Sequence, residues 1–280
     1  MKKETGVFEG REVTELFYQS WLPDNKIKAV LVAIHDLTTH SDRFEALAEY
    51  FTEKGYGLFT FDLRGHYRNK SDIPGNIDSM DHIQKDIVLF MDFVKNKVID
   101  VKIFLIGHSF GGLISLNYAI SHAGLPGVIV SSPSLGMFLD SLFGKKVAKK
   151  LAKSFSKFSL NKLIKVDLDQ NQLTSDLKIL RKYIADKNKL DMISMKTVSE
   201  LNSSIVYVLD NAPRLICPIL VLQSGEDKIV DKQKTKNFYD EVKSEDKTYK
   251  EYAGFLHDLW NEKGRAQVFQ DMYVWLEKHL

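Results

Sequence analysis

The chain has 280 residues, of which 44% are hydrophobic and 27% are charged, so it is long enough to bury an ordinary core and is neither disordered nor fibrous. A net charge of +2 is too small to indicate a nucleic-acid partner, and the single cysteine, Cys217, cannot form an internal disulfide. The sequence shows neither the apolar run of a secretory signal nor a membrane-spanning stretch of about 18 apolar residues, so we expect a cytoplasmic protein.

Apolar segments and helical stripes alternate along most of the chain. Residues 5–9 and 12–21 alternate apolar and polar side chains on either side of Glu9-Gly10, which predicts a hairpin. Solid apolar runs are typical of strands buried on both faces, and they occupy residues 29–34, 57–61, 101–106, 128–130 and 219–222. Helical spacing of apolar residues fills the gaps, at residues 44–51, 83–94 and 268–276.

This order of elements predicts the fold class. Strands that alternate with helices indicate an α/β protein with a mostly parallel sheet and helices on both faces, preceded by the N-terminal hairpin. In such sheets ligands bind at the carboxyl ends of the strands. The residues that follow each strand are therefore the first candidates for a functional site.

Residues 136–212 interrupt this alternation and predict an inserted helical cap, or lid, on a core formed by residues 1–135 and 213–280. The segment carries 14 basic and 8 acidic residues, a net charge of +6 that leaves −4 for the rest of the chain. Within it, Val147, Leu151, Phe155 and Phe158 form one helical stripe opposite a face of lysines. Such a face suits contact with an anionic lipid surface, although a solvated helix has the same pattern.

The sequence Gly107-His108-Ser109-Phe110-Gly111 follows one predicted strand and precedes a helical stripe. A Gly-x-Ser-x-Gly motif in this context is a nucleophile elbow, in which Ser109 sits on a sharp turn and the glycines leave room for the backbone. The helix that follows directs its amides and positive dipole end toward a developing oxyanion. We therefore expect Ser109 to be the nucleophile.

A serine nucleophile requires a base and a carboxylate that orients the base, and in this architecture they follow the serine in the order acid, histidine. His257 is the best base of eight histidines, because it lies in a loop just after an alternating segment, residues 248–252, and before the last helix. The acid follows the strand at residues 219–222, where Glu226 and Asp227 are both possible. The oxyanion donors should be the backbone amides of Phe110 and Leu37.

The sequence resembles the monoacylglycerol lipase and lysophospholipase family of serine α/β hydrolases over nearly its whole length. The resemblance lies in residues 35–44, 62–66, 107–112, 225–230 and 257–262. It implies the α/β-hydrolase fold, with residues 136–212 as the cap. It also implies hydrolysis of a small-molecule lipid ester, with a single acyl chain, through an acyl-enzyme and without metal or cofactor.

By this resemblance Ser109, Asp227 and His257 form the catalytic triad, which favours Asp227 over Glu226, and Leu37 and Phe110 form the oxyanion hole. The same fold also serves aminopeptidases, thioesterases and ligand-binding proteins that hydrolyse nothing, and these remain alternative functions.

Two residues depart from the family pattern, which generally has glycine at both places. Asp36 follows the histidine of the oxyanion loop, and we expect its carboxylate to turn outward because an inward charge would repel the oxyanion. Tyr67 stands in the loop that follows Arg64.

Overall fold

A computed structural model describes residues 1–136 and 160–280 of the chain. The strands in these residues are β1 (Lys2–Gly10), β2 (Thr14–Leu22), β3 (Ala29–Ile34), β4 (Tyr56–Phe61), β5 (Lys102–His108), β6 (Val128–Ser131), β7 (Leu163–Lys165), β8 (Met192–Ser194), β9 (Ile219–Ser224) and β10 (Lys247–Tyr252). The helices are α1 (Glu45–Glu53), α2 (Met80–Lys97), α3 (Phe110–Ser121), α4 (Leu177–Ala185), α5 (Met195–Asp210), α6 (Lys232–Glu241) and α7 (Arg265–Glu277).

Eight of the strands in the described residues form one sheet in the order β1-β2-β4-β3-β5-β6-β9-β10. The strands from β4 to β10 in this order pair in parallel, whereas β2 pairs antiparallel with both β1 and β4. The predicted, mostly parallel sheet with an N-terminal hairpin is therefore confirmed, and the hairpin forms one edge of the sheet.

The sheet separates two apolar cores, as expected for strands buried on both faces. Successive side chains of a strand point to opposite faces. In β3, Val30 and Val32 belong to one core, which α2 and α3 cover, and Leu31 and Ala33 belong to the other, which α1 and α7 cover. This double burial explains why β3 reads as an unbroken apolar run rather than as an alternating one.

The turn of the N-terminal hairpin lies at residues 11–13, two to three residues later than the predicted turn at Glu9-Gly10. Gly10 is the last residue of β1, and the chain turns at residues 11–13, where Glu12 and Val13 adopt positive φ. The turn is stabilised from outside the hairpin, because the Arg11 amide donates to Asp86 at 2.8 Å and Arg64 donates to the Arg11 carbonyl at 2.7 Å. Local turn preferences contain no information on such contacts.

Residues 160–212 contain α4 and α5 and the antiparallel pair of β7 and β8. The sequence predicts a helical cap, and its described part contains these two short strands in addition to the helices, because three-residue strands are too short to produce a periodic pattern. The predicted stripe at residues 147–158 lies outside the described residues. No helix in the described ranges is long and apolar enough to cross a membrane.

Candidate active site

Ser109 lies at the junction of β5 and α3 in a backbone conformation that non-glycine residues rarely adopt, with φ 53° and ψ −116°. The glycines on either side leave the space that this turn needs. A Cβ atom on Gly107 would lie 2.1 Å from the Gly111 carbonyl oxygen, and one on Gly111 would lie 2.0 Å from the Ile34 carbonyl oxygen. The predicted elbow is therefore present, and its steric explanation agrees with the structure.

We expect Gly111→Ala to destabilise the fold strongly, because the added methyl group would push β3 and α3 apart and overpack the region around Ser109. The free energy of unfolding, measured with urea, should fall by about 3 kcal/mol or more, if the variant folds at all. Gly124→Ala is the matched control. Gly124 has φ +89° with open space around it, so this variant should lose only about 1–2 kcal/mol. Equal losses in the two variants would contradict the steric explanation.

His257 lies in the loop after β10 and connects the other two candidate catalytic residues. Its Nε2 is 2.9 Å from Ser109 Oγ, and its Nδ1 is 2.8 Å from Asp227 Oδ2. A proton on Nδ1, donated to Asp227, leaves Nε2 free to accept the hydrogen of the serine hydroxyl. Ser109 and His257 are only 7% and 3% exposed, so bulk water competes little for these hydrogen bonds.

Asp227 follows β9, and its backbone environment orients the carboxylate. Oδ1 accepts hydrogen bonds from the amides of Ile229 and Val230, both at 2.9 Å, which leaves Oδ2 directed at His257. Glu226, the other candidate for this role, has an exposed side chain. The structure thus brings Asp227, and not Glu226, to the histidine.

The charges of the two residues reinforce each other. Burial alone would lower the pKa of His257, but the charge and hydrogen bond of Asp227 outweigh burial and raise that pKa above its ordinary value. Burial alone would raise the pKa of Asp227, but the charge and hydrogen bond of His257 and the two backbone amides lower it. Asp227 is therefore ionised at neutral pH, and His257 is a stronger base than a free imidazole.

The two candidate oxyanion donors come from two different parts of the fold. Phe110 is the first residue of α3, so its amide has no intrahelical acceptor. Leu37 lies in the loop after β3 and lines the same cavity as Ser109. Two buried histidines hold this loop: His66 Nε2 donates to the Leu37 carbonyl at 2.8 Å, and His35 Nδ1 donates to the Asp36 carbonyl at 2.7 Å. Neither histidine is hydrogen-bonded to Ser109 in the described residues, so both stabilise the backbone of the loop rather than activate the serine.

The cavity above Ser109 is lined by both apolar and polar residues. The apolar lining residues include Val166, Leu168, Leu173 and Ile229. The polar lining residues include Asp36, Thr38, Thr39 and Asp258. Val166, Leu168 and Leu173 come from residues 160–212, so the described part of the predicted cap forms part of the cavity lining.

The outward orientation expected for Asp36 is wrong. Asp36 lines the cavity together with Ser109 and His257, and its Oδ1 accepts a hydrogen bond of 2.9 Å from the Thr38 amide. This hydrogen bond closes a tight turn of the kind that aspartate often forms, and it holds the carboxylate beside the loop. Tyr67, by contrast, has φ 35°, a value that suits the glycine usual at this position.

Three further residues of this region have no role in the prediction from the sequence: Ser134, Tyr183 and Asp258. Ser134 Oγ lies 3.2 Å from Ser109 Oγ, and its position just beyond the end of β6 could have identified it. Tyr183 in α4 donates its hydroxyl hydrogen to Asp258, the residue that follows His257. The sequence contains no signal for this pair, because Tyr183 falls in an ordinary helical stripe.

Comparisons with known proteins agree with this geometry. A family model described as serine aminopeptidase, S33 (Hydrolase_4) matches residues 25–264. Phospholipase YtpA of Bacillus subtilis is 28% identical over 272 residues, which cover 93% of this chain and 99% of that protein. Monoacylglycerol lipase of Mycolicibacterium smegmatis is 25% identical, with coverage of 98% and 96%.

Among solved structures, the monoacylglycerol lipase of Paleococcus ferrophilus matches with a TM-score of 0.82 at 25% identity, over 95% of this chain and 100% of that one. The resemblance to monoacylglycerol lipases and the predicted α/β-hydrolase fold are both confirmed.

Proposed function

Since the chain belongs to the Hydrolase_4 family, described as serine aminopeptidase, S33, we propose that this serine ester hydrolase acts on single-chain lipid esters. Relatives named monoacylglycerol lipase and phospholipase, each matched over more than nine-tenths of both chains, support this substrate class. We propose monoacylglycerols as the principal substrates and lysophospholipids as the second choice.

The observation that carries the proposal is the pair of hydrogen bonds at His257. They join Ser109 to the imidazole at 2.9 Å and the imidazole to Asp227 at 2.8 Å, in a buried site whose lining includes several apolar residues. Hydrogen-bonded contact between hydroxyl, imidazole and carboxylate is the geometry that activates a serine nucleophile. The apolar lining residues supply surface that an acyl chain would cover.

In the first half of the proposed reaction, Ser109 Oγ attacks the ester carbonyl carbon while His257 Nε2 takes the hydroxyl proton. Asp227 stabilises the imidazolium that forms. The carbonyl oxygen becomes an oxyanion, which accepts hydrogen bonds from the amides of Leu37 and Phe110. The bond to the alcohol then breaks, the alcohol leaves with the proton from His257, and the acyl group remains on Ser109.

In the second half, water takes the place of the alcohol. His257 Nε2 accepts a proton from the water molecule as its oxygen attacks the acyl carbon, and the same two amides hold the oxyanion. The bond between the acyl carbon and Ser109 Oγ breaks, and the proton returns to the serine. The products are one fatty acid and one alcohol per cycle, so the steps balance without an added metal or cofactor.

We also propose that residues 136–212 act as the cap of this site. Val166, Leu168 and Leu173 line the cavity, and the Tyr183 hydroxyl is bonded to Asp258 next to His257. A backbone hydrogen bond also joins the segment to the loop that carries His257, because the Asp258 amide donates to the Leu173 carbonyl at 2.8 Å. The described part of the cap therefore lies directly against the candidate catalytic loop.

Peripheral contact with an anionic lipid surface is proposed on the sequence alone. The segment from Lys145 to Lys165 contains eight lysines and no acid, and its apolar stripe would face the acyl region of a membrane or substrate aggregate. Most of this segment lies outside the described residues.

An aminopeptidase is the second candidate function. The family description names this activity, and the carboxylates of Asp36 and Asp258 in the cavity wall would suit the ammonium group of a peptide N terminus.

A series of nitrophenyl esters of increasing acyl length, compared with aminoacyl anilides, separates the two functions. Each buried CH2 group contributes about 0.8 kcal/mol, so kcat/KM should rise about tenfold or more from the butyrate to the octanoate ester. Aminoacyl anilides should be cleaved far more slowly than any ester of the series. A flat ester profile together with rapid anilide cleavage would reject the lipase proposal in favour of the aminopeptidase.

A further inference from the structure

We propose that Asp36 makes the active-site cavity discriminate by charge, so that it accepts esters of neutral or cationic alcohols and rejects esters whose alcohol carries an anionic group. The inference rests on the proposed esterase function and narrows its substrates to monoacylglycerols, because the alcohol part of a lysophospholipid carries an anionic phosphate. It concerns a residue that departs from the family pattern, on the loop that carries the candidate oxyanion donor Leu37.

Asp36 lines the same cavity as Ser109 and His257, and its Oδ1 accepts the Thr38 amide hydrogen at 2.9 Å. Burial alone would raise the pKa of Asp36, but the nearby His108 ring and the Thr38 amide lower it below its ordinary value. A full negative charge therefore stands beside the nucleophile at neutral pH.

The described residues that line this cavity include more acidic than basic side chains. Among the described residues that line this cavity, Asp36 and Asp258 are the carboxylates, and no lysine or arginine is present. Arg43 borders this cavity, because its guanidinium stacks at 3.5 Å on the ring of Tyr183, a lining residue, but its charge is paired with Asp186, to which it donates at 3.0 Å. Asp36 and Asp258 therefore leave an excess of negative charge in the described lining, which would repel an anionic group of the substrate.

The polar lining residues suit the alcohol part of the ester. Thr39 lines the same cavity, and its hydroxyl has no hydrogen-bond partner in the described residues, although Thr39 is only 9% exposed. A buried hydroxyl without a partner is costly, so Thr39 fits a ligand group that forms hydrogen bonds. We therefore assign the alcohol to Thr39 and Asp36 and the acyl chain to apolar lining residues such as Val166 and Leu168.

The test uses three short-chain esters that share one acyl group and differ only in the charge of the alcohol: butyrylcholine, monobutyrin and butyrylglycerol phosphate. All three dissolve in water, so binding to a lipid surface does not enter the comparison. The variant is Asp36→Asn, which keeps an oxygen that can accept the Thr38 amide hydrogen. The matched control is Glu226→Gln, which removes one negative charge from an exposed position near the same site.

In the wild type, kcat/KM should decrease in the order butyrylcholine, monobutyrin, butyrylglycerol phosphate. Asp36→Asn should reduce the ratio of kcat/KM between the cationic and the anionic ester by about tenfold or more, because unit charges a few ångströms apart in a partly buried site interact at least this strongly. Glu226→Gln should leave the ratio within about twofold, since exposed charges are screened.

Two results would overturn the inference while leaving the esterase function intact. In the first, Asp36→Asn changes the rates of all three esters by the same factor, which would indicate a purely structural role of the turn. In the second, Glu226→Gln shifts the ratio as much as Asp36→Asn does. If the wild type hydrolyses none of the three esters, the proposed function fails and the inference fails with it.

Discussion

Ser109→Ala is expected to lower kcat for a short-chain nitrophenyl ester by about 10³-fold or more, with the fold intact. The variant retains the oxyanion amides and the cavity but loses the only atom proposed to form a bond with the acyl carbon. The substitution replaces the hydroxyl by a hydrogen and adds no volume, so the structure should tolerate it. The measurement is a steady-state rate assay, together with circular dichroism of the purified variant to establish folding.

Ser134→Ala is the matched control for this substitution. Ser134 Oγ lies 3.2 Å from Ser109 Oγ, so the control removes a hydroxyl from the same buried site without touching the proposed nucleophile. Its loss of kcat should stay below about tenfold, which corresponds to a single hydrogen bond. A Ser109→Ala variant with nearly wild-type turnover, or a control that is equally inactive, would reject Ser109 as the nucleophile.

Asp227→Asn should have the second large effect, a decrease in kcat of about 10⁴-fold at neutral pH. Asp227 Oδ2 accepts the hydrogen of His257 Nδ1 at 2.8 Å, whereas an amide that keeps the two backbone bonds of Ile229 and Val230 would direct its NH2 group at the ring. The imidazole would then expose the wrong tautomer to Ser109. The charge that stabilises the imidazolium would also be absent.

Glu226→Gln serves as the control for Asp227→Asn, because it makes the same chemical change at the neighbouring, exposed residue. We expect its kcat to remain near that of the wild type. Comparable losses in both variants would show that overall charge, rather than the contact with His257, determines activity. A large loss in Glu226→Gln alone would reverse the assignment of the acid.

Much of the fold could be predicted because the sheet is buried on both faces. Strand β3 lies at the residues predicted from its apolar run, and the strands around Ser109 and before Asp227 are shifted by at most two residues at either end. The motif around Ser109 was informative for a steric reason, since Gly107 and Gly111 touch backbone atoms directly. At these two positions the motif requires glycine, and the packing of the surrounding backbone requires glycine as well.

The rest depends on contacts between residues far apart in the chain. The hairpin turn lies at residues 11–13 because Asp86 and Arg64 bind its backbone, and neither is visible from the turn sequence. Asp36 is a local exception: its Oδ1 accepts the amide hydrogen of Thr38, a hydrogen bond that the expectation of an outward carboxylate did not include. Tyr183 reaches Asp258 across 75 residues, a contact that only the packing of α4 on the core produces.

Labelling with a fluorophosphonate probe, followed by peptide mass spectrometry, tests the central proposal most directly, because such a probe reacts only with a serine that an adjacent base has activated. The account predicts one label per chain, on the peptide that contains Ser109, and none in Ser109→Ala. Absence of labelling in the folded wild-type protein, or a label that persists in Ser109→Ala, would contradict it.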